Sequence, residues 1–297
     1  DDIHSYQNEA DIPLLIGVDE EGGTVVRVSS NPNLRETAFL SPKDTYADGG
    51  WDAVKRDAEE KADLLLSLGI NVNLAPVCDM TSDEYGFMYD RSFSVDVDME
   101  NRYVRTVVET SKSKKLGTVL KHFPGYGNNS DTHTGIAYDD RDYSEFENTD
   151  FKPFYQGIES GADCILVSHN IVNCMDSEYP ASLSQKVHDI LRNEFKFDGV
   201  IMTDDLIMDA ITDFTGDEAA AVTAAKCGND LLCCSSVDTQ YPAVLEAVQN
   251  GEISEAQVDA SVKRILKWKQ NLGIFNIDTY QKKVKSTEPT DTVGSEE

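Results

Sequence analysis

Positive charge is what this chain has least of: its 297 residues carry 26 Lys and Arg against 54 Asp and Glu, a formal net charge of −28. Nucleic-acid phosphates and anionic membrane surfaces have to be neutralised by Lys and Arg, so both are excluded as partners. The bland reading of the acidity is a solubilising surface. Long apolar runs are also missing. None approaches the roughly 18 residues of a spanning helix, which excludes membrane insertion of this segment. The chain opens at Asp1 without Met or a signal-peptide pattern, as a processed or trimmed start would. CxxC pairs are absent among the six cysteines, at 78, 164, 174, 227, 233 and 234, which argues against a zinc site. Their spacing does not suit a disulfide framework either. Most lie in apolar runs such as Cys164-Ile165-Leu166-Val167 and read as buried thiols. No GxGxxG follows the first apolar run, which disfavours dinucleotide binding.

What is present is a repeated unit of helical pattern, glycine, short apolar run and polar residue. Leu14-Leu15-Ile16-Gly17-Val18 ends at Asp19; Gly69 precedes Ile70 to Val77, which reaches Asp79; Gly117 precedes Thr118-Val119-Leu120, ending at Lys121-His122. Gly161 precedes Cys164 to Val167, ending at Ser168-His169-Asn170; Gly199 precedes Val200-Ile201-Met202, ending at Thr203-Asp204-Asp205; Gly228 precedes Leu231 to Cys234. The glycines suit helix C-caps, and the apolar runs suit strands buried on both faces. Helical patterns over 53–68, 99–115, 185–195 and 217–226 lie between them, and Ser254 with Gln257 predicts a capping box for a last helix running to about Leu272. Strand and helix alternate six times, so the fold class is α/β with a parallel sheet. In a closed (β/α)8 barrel of the TIM type, active-site groups collect at the C-terminal strand ends. Asp19, His122, His169 and Asp204 all fall there, which points to an enzyme. Six units are two short of closure: either the sheet is open or the first two strands are lacking from this chain. The chain divides into a barrel domain, 1–276, and an acidic polar tail, 277–297, which reads as disordered or as a linker.

Three polar groupings carry candidate chemistry. In Lys121-His122-Phe123-Pro124-Gly125-Tyr126-Gly127, a strand end runs into a glycine-rich turn, and Asp131-Thr132-His133 follows. Asp131 beside His133 could fix one tautomer and raise its basicity, although a loop histidine is more often merely solvated. Asp204-Asp205 could split two jobs, one facing the cleft and the other capping a helix. Asp19-Glu20-Glu21 beside Gly22-Gly23 is either a turn or a carboxylate clamp on sugar hydroxyls or a metal; the histidines lack i,i+4 spacing on a helix, so a metal is disfavoured.

Four segments together resemble the N-terminal barrel domain of family 3 glycoside hydrolases, in the β-N-acetylhexosaminidase branch. They are Val18 to Gly23 with Arg27, Asp90-Arg91-Ser92-Phe93, the Lys121–His133 stretch and Thr203-Asp204-Asp205-Leu206, in that order; Arg264 to Phe275 is also similar. The resemblance runs from about residue 12 to 276. It implies Asp204 as nucleophile forming a covalent glycosyl-enzyme, His133 as general acid/base and Asp131 as its partner. Asp19, Arg27, Arg91, Lys121 and His122 match residues that bind N-acetylglucosamine; His169 joins them as a candidate by its place at a strand end. A glycine-rich loop would let the histidine approach only when substrate is bound. The chain departs from the family pattern at Tyr126, where histidine is common, at Thr132, where serine is common, and in lacking a proline after His133. The second, sandwich-like domain of many family members is not expected within these 297 residues.

The expected function is that of a retaining exo-β-N-acetylglucosaminidase acting on peptidoglycan fragments, without cofactor or metal and as a monomer. Two alternatives stay open: a β-N-acetylglucosaminide phosphorylase using the same residues, since a histidine acid/base tolerates an anionic acceptor, and a glycan-binding relic without turnover. The acidic balance and the tail favour export or wall association, while the cysteines lean the other way.

Overall fold

The computed structural model describes residues 2–129, 131–132, 135–215 and 217–281. It is an α/β fold in which helices flank a parallel half-barrel sheet. The strands are β1 (Gly17–Val18), β2 (Val72–Asn73), β3 (Gly117–Phe123), β5 (Cys164–Val167) and β7 (Val200–Thr203), hydrogen-bonded in that order. A second, two-stranded parallel ladder, β4 (Tyr138–Asp139) on β6 (Ile171–Val172), stands beyond the ends of β3 and β5. The register puts Phe123, Val167 and Thr203 level with one another.

The helices are α1 (Asp2–Glu9), α2 (Pro42–Ser67), α3 (Val97–Ser113), α4 (Tyr143–Asn148), α5 (Phe151–Ser160), α6 (Gln185–Asp189), α7 (Asp209–Thr215), α8 (Asp217–Lys226), α9 (Val237–Gln249) and α10 (Glu255–Asn271). Leu120, Phe123, Ile165, Val167 and Ile201 face outward against Val104, Val108, Phe154 and Leu191 of the surrounding helices. Val72, Val119, Cys164, Leu166, Val200 and Met202 form the other face with Trp268 of α10 and Leu272 just after it. Alternate residues of each strand are thus buried on opposite sides, which is why the runs read as continuously apolar. Each buried side chain of this size contributes about 1.5–3 kcal/mol. Gly157 is required by packing: a Cβ there would stand 2.5 Å from Leu120 of β3.

The structure differs from the sequence expectations at several elements, each for a visible reason. The first two strands are only two residues long because asparagine side chains replace their ladder bonds. Asn71 Oδ1 accepts from the Ile16 N–H (2.8 Å) and its amide donates to the Leu14 carbonyl (3.0 Å). Leu231 to Cys234 lies beside β7 but makes a single bridge, Met202 to Leu231; Thr203 Oγ1 takes the Cys233 N–H (3.0 Å) and the Leu206 N–H takes the Cys233 carbonyl (3.0 Å). The segment over 185–195 is α6 followed by a π-turn, Ile190–Glu194, closed by Phe195 N–H on the Ile190 carbonyl. Ser254 caps α10 through Gln257 N–H, but the Gln257 side chain donates to the Ala225 carbonyl (2.6 Å) instead of completing the box. Cys174 is exposed, unlike the buried Cys78, Cys164 and Cys227. The tail begins as helix over 277–281, with Tyr280 against Phe275; residues 282–297 lie outside the described residues.

Candidate active site

The C-terminal ends of β1, β2 and β3 hold an interlocked cluster of charges. Lys121, 2% exposed, places its ammonium 2.6 Å from Asp19 Oδ1 and 2.6 Å from Glu21 Oε1. Arg91 grips Glu21 with both ends of its fork, at 2.9 and 2.8 Å, the geometry that suits guanidinium to carboxylate. Burial raises the Glu21 carboxyl, but the Lys121 charge and the Arg91 hydrogen bonds and charge outweigh it and hold the group at about 2. Burial alone would lower the Lys121 ammonium; Glu21 and Asp19 raise it above its ordinary value. The two glutamates of the acidic cluster are therefore not a sugar clamp. Glu21 is consumed by Arg91 and Lys121. Glu20, fully buried, accepts from the N–H groups of Arg27, Val28 and Ser29 and from the Ser29 hydroxyl, and so folds the loop after β1. Asn73 of β2 brackets Glu20 from below, with 3.0 Å bonds to its backbone N–H and carbonyl. Of the acidic cluster, only Asp19 keeps appreciable exposure, 33% of its side chain.

His122 joins this cluster through Asp79, a fully buried carboxylate at the end of the second apolar run. Asp79 Oδ2 accepts from the His122 backbone N–H (2.9 Å) and lies 2.8 Å from His122 Nδ1; its Oδ1 accepts from the Tyr126 N–H (2.7 Å). Arg91 stands 3.3 Å from His122 Nε2. A guanidinium only donates, so Nε2 is the acceptor and the ring proton sits on Nδ1, facing Asp79.

Across from these groups, Asp204 ends β7. Its N–H donates to the Val167 carbonyl (3.1 Å) and its Oδ1 accepts from the Asp205 N–H (2.9 Å). Burial opposes ionisation of this half-buried carboxyl. The imidazoles of His169 and His122, the Asp205 N–H and the Lys121 charge overcome that and bring it below the usual carboxylate range. Asp205 ties the turn to the neighbouring run through Ser235, accepting from its N–H (3.2 Å) and its hydroxyl. His169 stands behind the turn, fully buried. Its Nδ1 is 2.7 Å from Ser182 Oγ and its Nε2 donates to the Asp205 carbonyl (3.0 Å). Its hydrogen bonds thus support the Asp204-Asp205 turn from the buried side.

Asp19, Arg91, Lys121 and His122 are brought into one network, of which Lys121 and His122 act electrostatically on Asp204. Arg27 is not: it is exposed and its guanidinium rests on the Val26 carbonyl (3.3 Å). His133 lies outside the described residues. Asp131 is half-buried, and Thr132 beside it is fully buried, 2.6 Å from the Tyr126 phenol oxygen. Sequence reasoning passed over Asp79 and Tyr126 as working residues and offered Glu20 only as part of the acidic clamp. Asp79 carried a signal, an acid closing an apolar run; its three hydrogen bonds could not be read from one dimension. Among the described residues no group of three or more His, Cys, Asp or Glu is arranged to hold a metal ion, and no helix is long and apolar enough to cross a membrane.

Comparison with known proteins agrees with this geometry. Residues 2–268 match the model of the glycosyl hydrolase family 3 N terminal domain. The chain is 32% identical over 252 residues to a beta-hexosaminidase of Hydrogenovibrio crunogenus, covering 82% of this chain and 70% of that protein. It is 32% identical over 268 residues to an uncharacterized secreted glycosyl hydrolase of Arthroderma benhamiae, covering 85% and 73%. Among solved structures it superposes on a family 3 beta-N-acetylglucosaminidase from Paenibacillus sp. FPU-7 with a TM-score of 0.82 and 30% identity, over 89% of this chain but 51% of that one, so it spans about half of that enzyme. With a parallel α/β sheet and a family match along most of its length, this chain belongs to glycosyl hydrolase family 3 and carries its N-terminal domain.

Proposed function

We propose that this chain is a retaining exo-β-N-acetylglucosaminidase that removes terminal β-linked N-acetylglucosamine, with peptidoglycan fragments as its substrates. Asp204 attacks the anomeric carbon and forms a covalent glycosyl ester as the leaving oxygen takes a proton from His133. His133, oriented by Asp131, then removes a proton from water, whose oxygen displaces Asp204 and restores the carboxylate. Asp19, Lys121, His122 and Arg91 hold the sugar, and His169 positions the Asp204 turn. The observation that carries the reading is the Asp204 carboxyl, kept below the ordinary carboxylate range at a strand end facing the Lys121 and His122 groups. A nucleophile must be ionised at the pH of turnover, and this one is. The names of the Hydrogenovibrio and Paenibacillus relatives support the N-acetylglucosamine specificity.

On the same reading the sheet is the larger part of a (β/α)8 barrel whose first two strands this chain lacks. Residues 1–276 form the catalytic unit, 277–297 are a tail or linker, and the unit acts as a monomer. Export or wall association fits the acidic composition and the description of the Arthroderma relative. The direct test is trapping. A slow 5-fluoro N-acetylglucosaminide should leave its sugar on the peptide containing Asp204, read by mass spectrometry. A label on another carboxylate, or none during measurable turnover, overturns the nucleophile assignment.

A further inference from the structure

Backbone pairing carries Asp79 to His122. The run after β2 stays alongside β3: Val77 forms a parallel bridge with Lys121, and the Cys78 N–H donates to the Lys121 carbonyl (2.6 Å). Asp79, the next residue, arrives beside His122 with its side chain fully buried, and takes three donors. Oδ2 accepts from the His122 N–H (2.9 Å) and faces His122 Nδ1 (2.8 Å); Oδ1 accepts from the Tyr126 N–H (2.7 Å). The Tyr126 ring stands edge-on to the imidazole, 5.2 Å between centroids. An amide in place of this carboxylate would offer one oxygen and one NH2, enough for His122 or for Tyr126 but not for both.

Donors dominate this side of the cleft. Lys121 and Arg91 only donate, and Glu21 is occupied by both of them. Asp19 already accepts from Lys121. A sugar hydroxyl has a proton to give as well as lone pairs, so the site also needs acceptors. We propose that Asp79 is a positioning residue: by holding the ring proton of His122 on Nδ1 it keeps Nε2 a hydrogen-bond acceptor, and a hydroxyl of the bound sugar donates to it. Nε2 rests on Arg91 at 3.3 Å, longer than the 2.6–2.9 Å ion pairs of the same cluster, and this is the contact a hydroxyl most readily replaces. Asp79 itself is buried beneath the ring and acts on sugar only through it. The role of Asp79 rests on the proposed role of His122 in holding the sugar.

Nitrogen NMR of the histidine rings in the unmutated protein is the first measurement, and it does not depend on any variant folding. The chain has five histidines, and His122→Gln identifies the signal to follow. At mildly alkaline pH, where an imidazole is neutral, His122 should carry its proton on Nδ1, and saturating N-acetylglucosamine should move the Nε2 resonance. A proton on Nε2, or an Nε2 resonance unmoved by bound sugar, overturns the assignment. In Asp79→Asn a measurable share of the proton should pass to Nε2. There kcat/KM on an aryl N-acetyl-β-glucosaminide should fall about 10- to 100-fold, mainly through KM. A carboxylate that only stabilises the fold would leave the tautomer as it was, and an unaltered tautomer or a loss confined to kcat sinks the positioning role. His122→Ala separates the two failures. If it raises KM while Asp79→Asn leaves the tautomer unaltered, only the role of Asp79 falls. If His122→Ala leaves kcat/KM unchanged, or N-acetylglucosamine does not bind at all, the sugar-holding reading falls and takes the role of Asp79 with it.

Discussion

The two sides of the cleft are built from different interactions. On the side of β1 to β3, Glu21 holds Arg91 and Lys121, and Asp19 holds Lys121, at 2.6–2.9 Å, while Asp79 holds the His122 ring at 2.8 Å and Arg91 reaches the same ring at 3.3 Å. On the side of β5 and β7, Asp204 is held by backbone groups, and its turn by hydroxyls and the His169 ring. The first arrangement is rigid and nearly self-neutralising, suited to presenting polar groups to a neutral sugar without rearrangement. The second leaves the Asp204 carboxylate on the Asp205 N–H, with no cation in direct contact among the described residues. A cation bound bidentately to Asp204 would have lowered its pKa further and blunted it as a nucleophile. Electrostatic stabilisation here comes from a distance.

The sharpest break of this comparison is Asp204→Ala, which should lower kcat by at least about 10⁴-fold while the thermal unfolding midpoint stays within a few degrees; near-native turnover in that variant ends the nucleophile assignment. The other side should respond in stability before activity. Glu21→Ala leaves Arg91 and Lys121 buried without their shared anion and should cost about 3–5 kcal/mol in denaturant unfolding. Next in size is Asp79→Asn, which removes the ionic acceptor for His122 and should lower kcat/KM by about 10- to 100-fold; an unchanged kcat/KM would remove His122 from the proposed sugar-holding groups. The pH dependence follows from Glu21. Its folded pKa of about 2 lies below the ordinary 4.5, so its contribution is fully present above 4.5 and is lost as pH falls through the interval to about 2. Acid unfolding of wild type should show this slope, and Glu21→Gln should lack it. The smallest effect concerns Glu100 of α3, fully buried with one carboxyl oxygen on the Ser94 N–H and the other without a partner. Burial above all, and then the Asp79 charge, raise it well above 4.5. The sign reverses: stability declines as pH rises from 4.5 toward its folded value. Glu100→Gln should remove that decline, read as a higher unfolding midpoint at pH 8.

Most of the fold was legible because buried parallel strands advertise themselves. The runs at Val119, Cys164 and Val200 are strands where the sequence places them, and the last helix begins at Ser254 as its cap demands. The short strands β1 and β2 were less legible, since Asn71 and Asn73 read as polar interruptions when their side chains in fact stand in for ladder bonds. At the site, Asp204 and Lys121-His122 could be found from strand ends alone. The job of Glu21 could not, because its partners Arg91 and Lys121 lie 70 and 100 residues away. His169 shared the strand-end signal but is fully buried behind the Asp204-Asp205 turn, a distinction of depth that position along a strand does not encode.

The sequence by itself determined the alternation of strand and helix and the end of the sheet at which polar groups gather, because periodicity and turn chemistry are local. Only the tertiary structure decided which carboxylates are spent on neighbouring cations and which stays chemically available. It also decided which histidine faces the cleft, and that Tyr126 meets Thr132. Charge pairing, burial and hydrogen-bond saturation depend on residues far apart in the chain, and those distances are fixed only when the sheet closes on its helices.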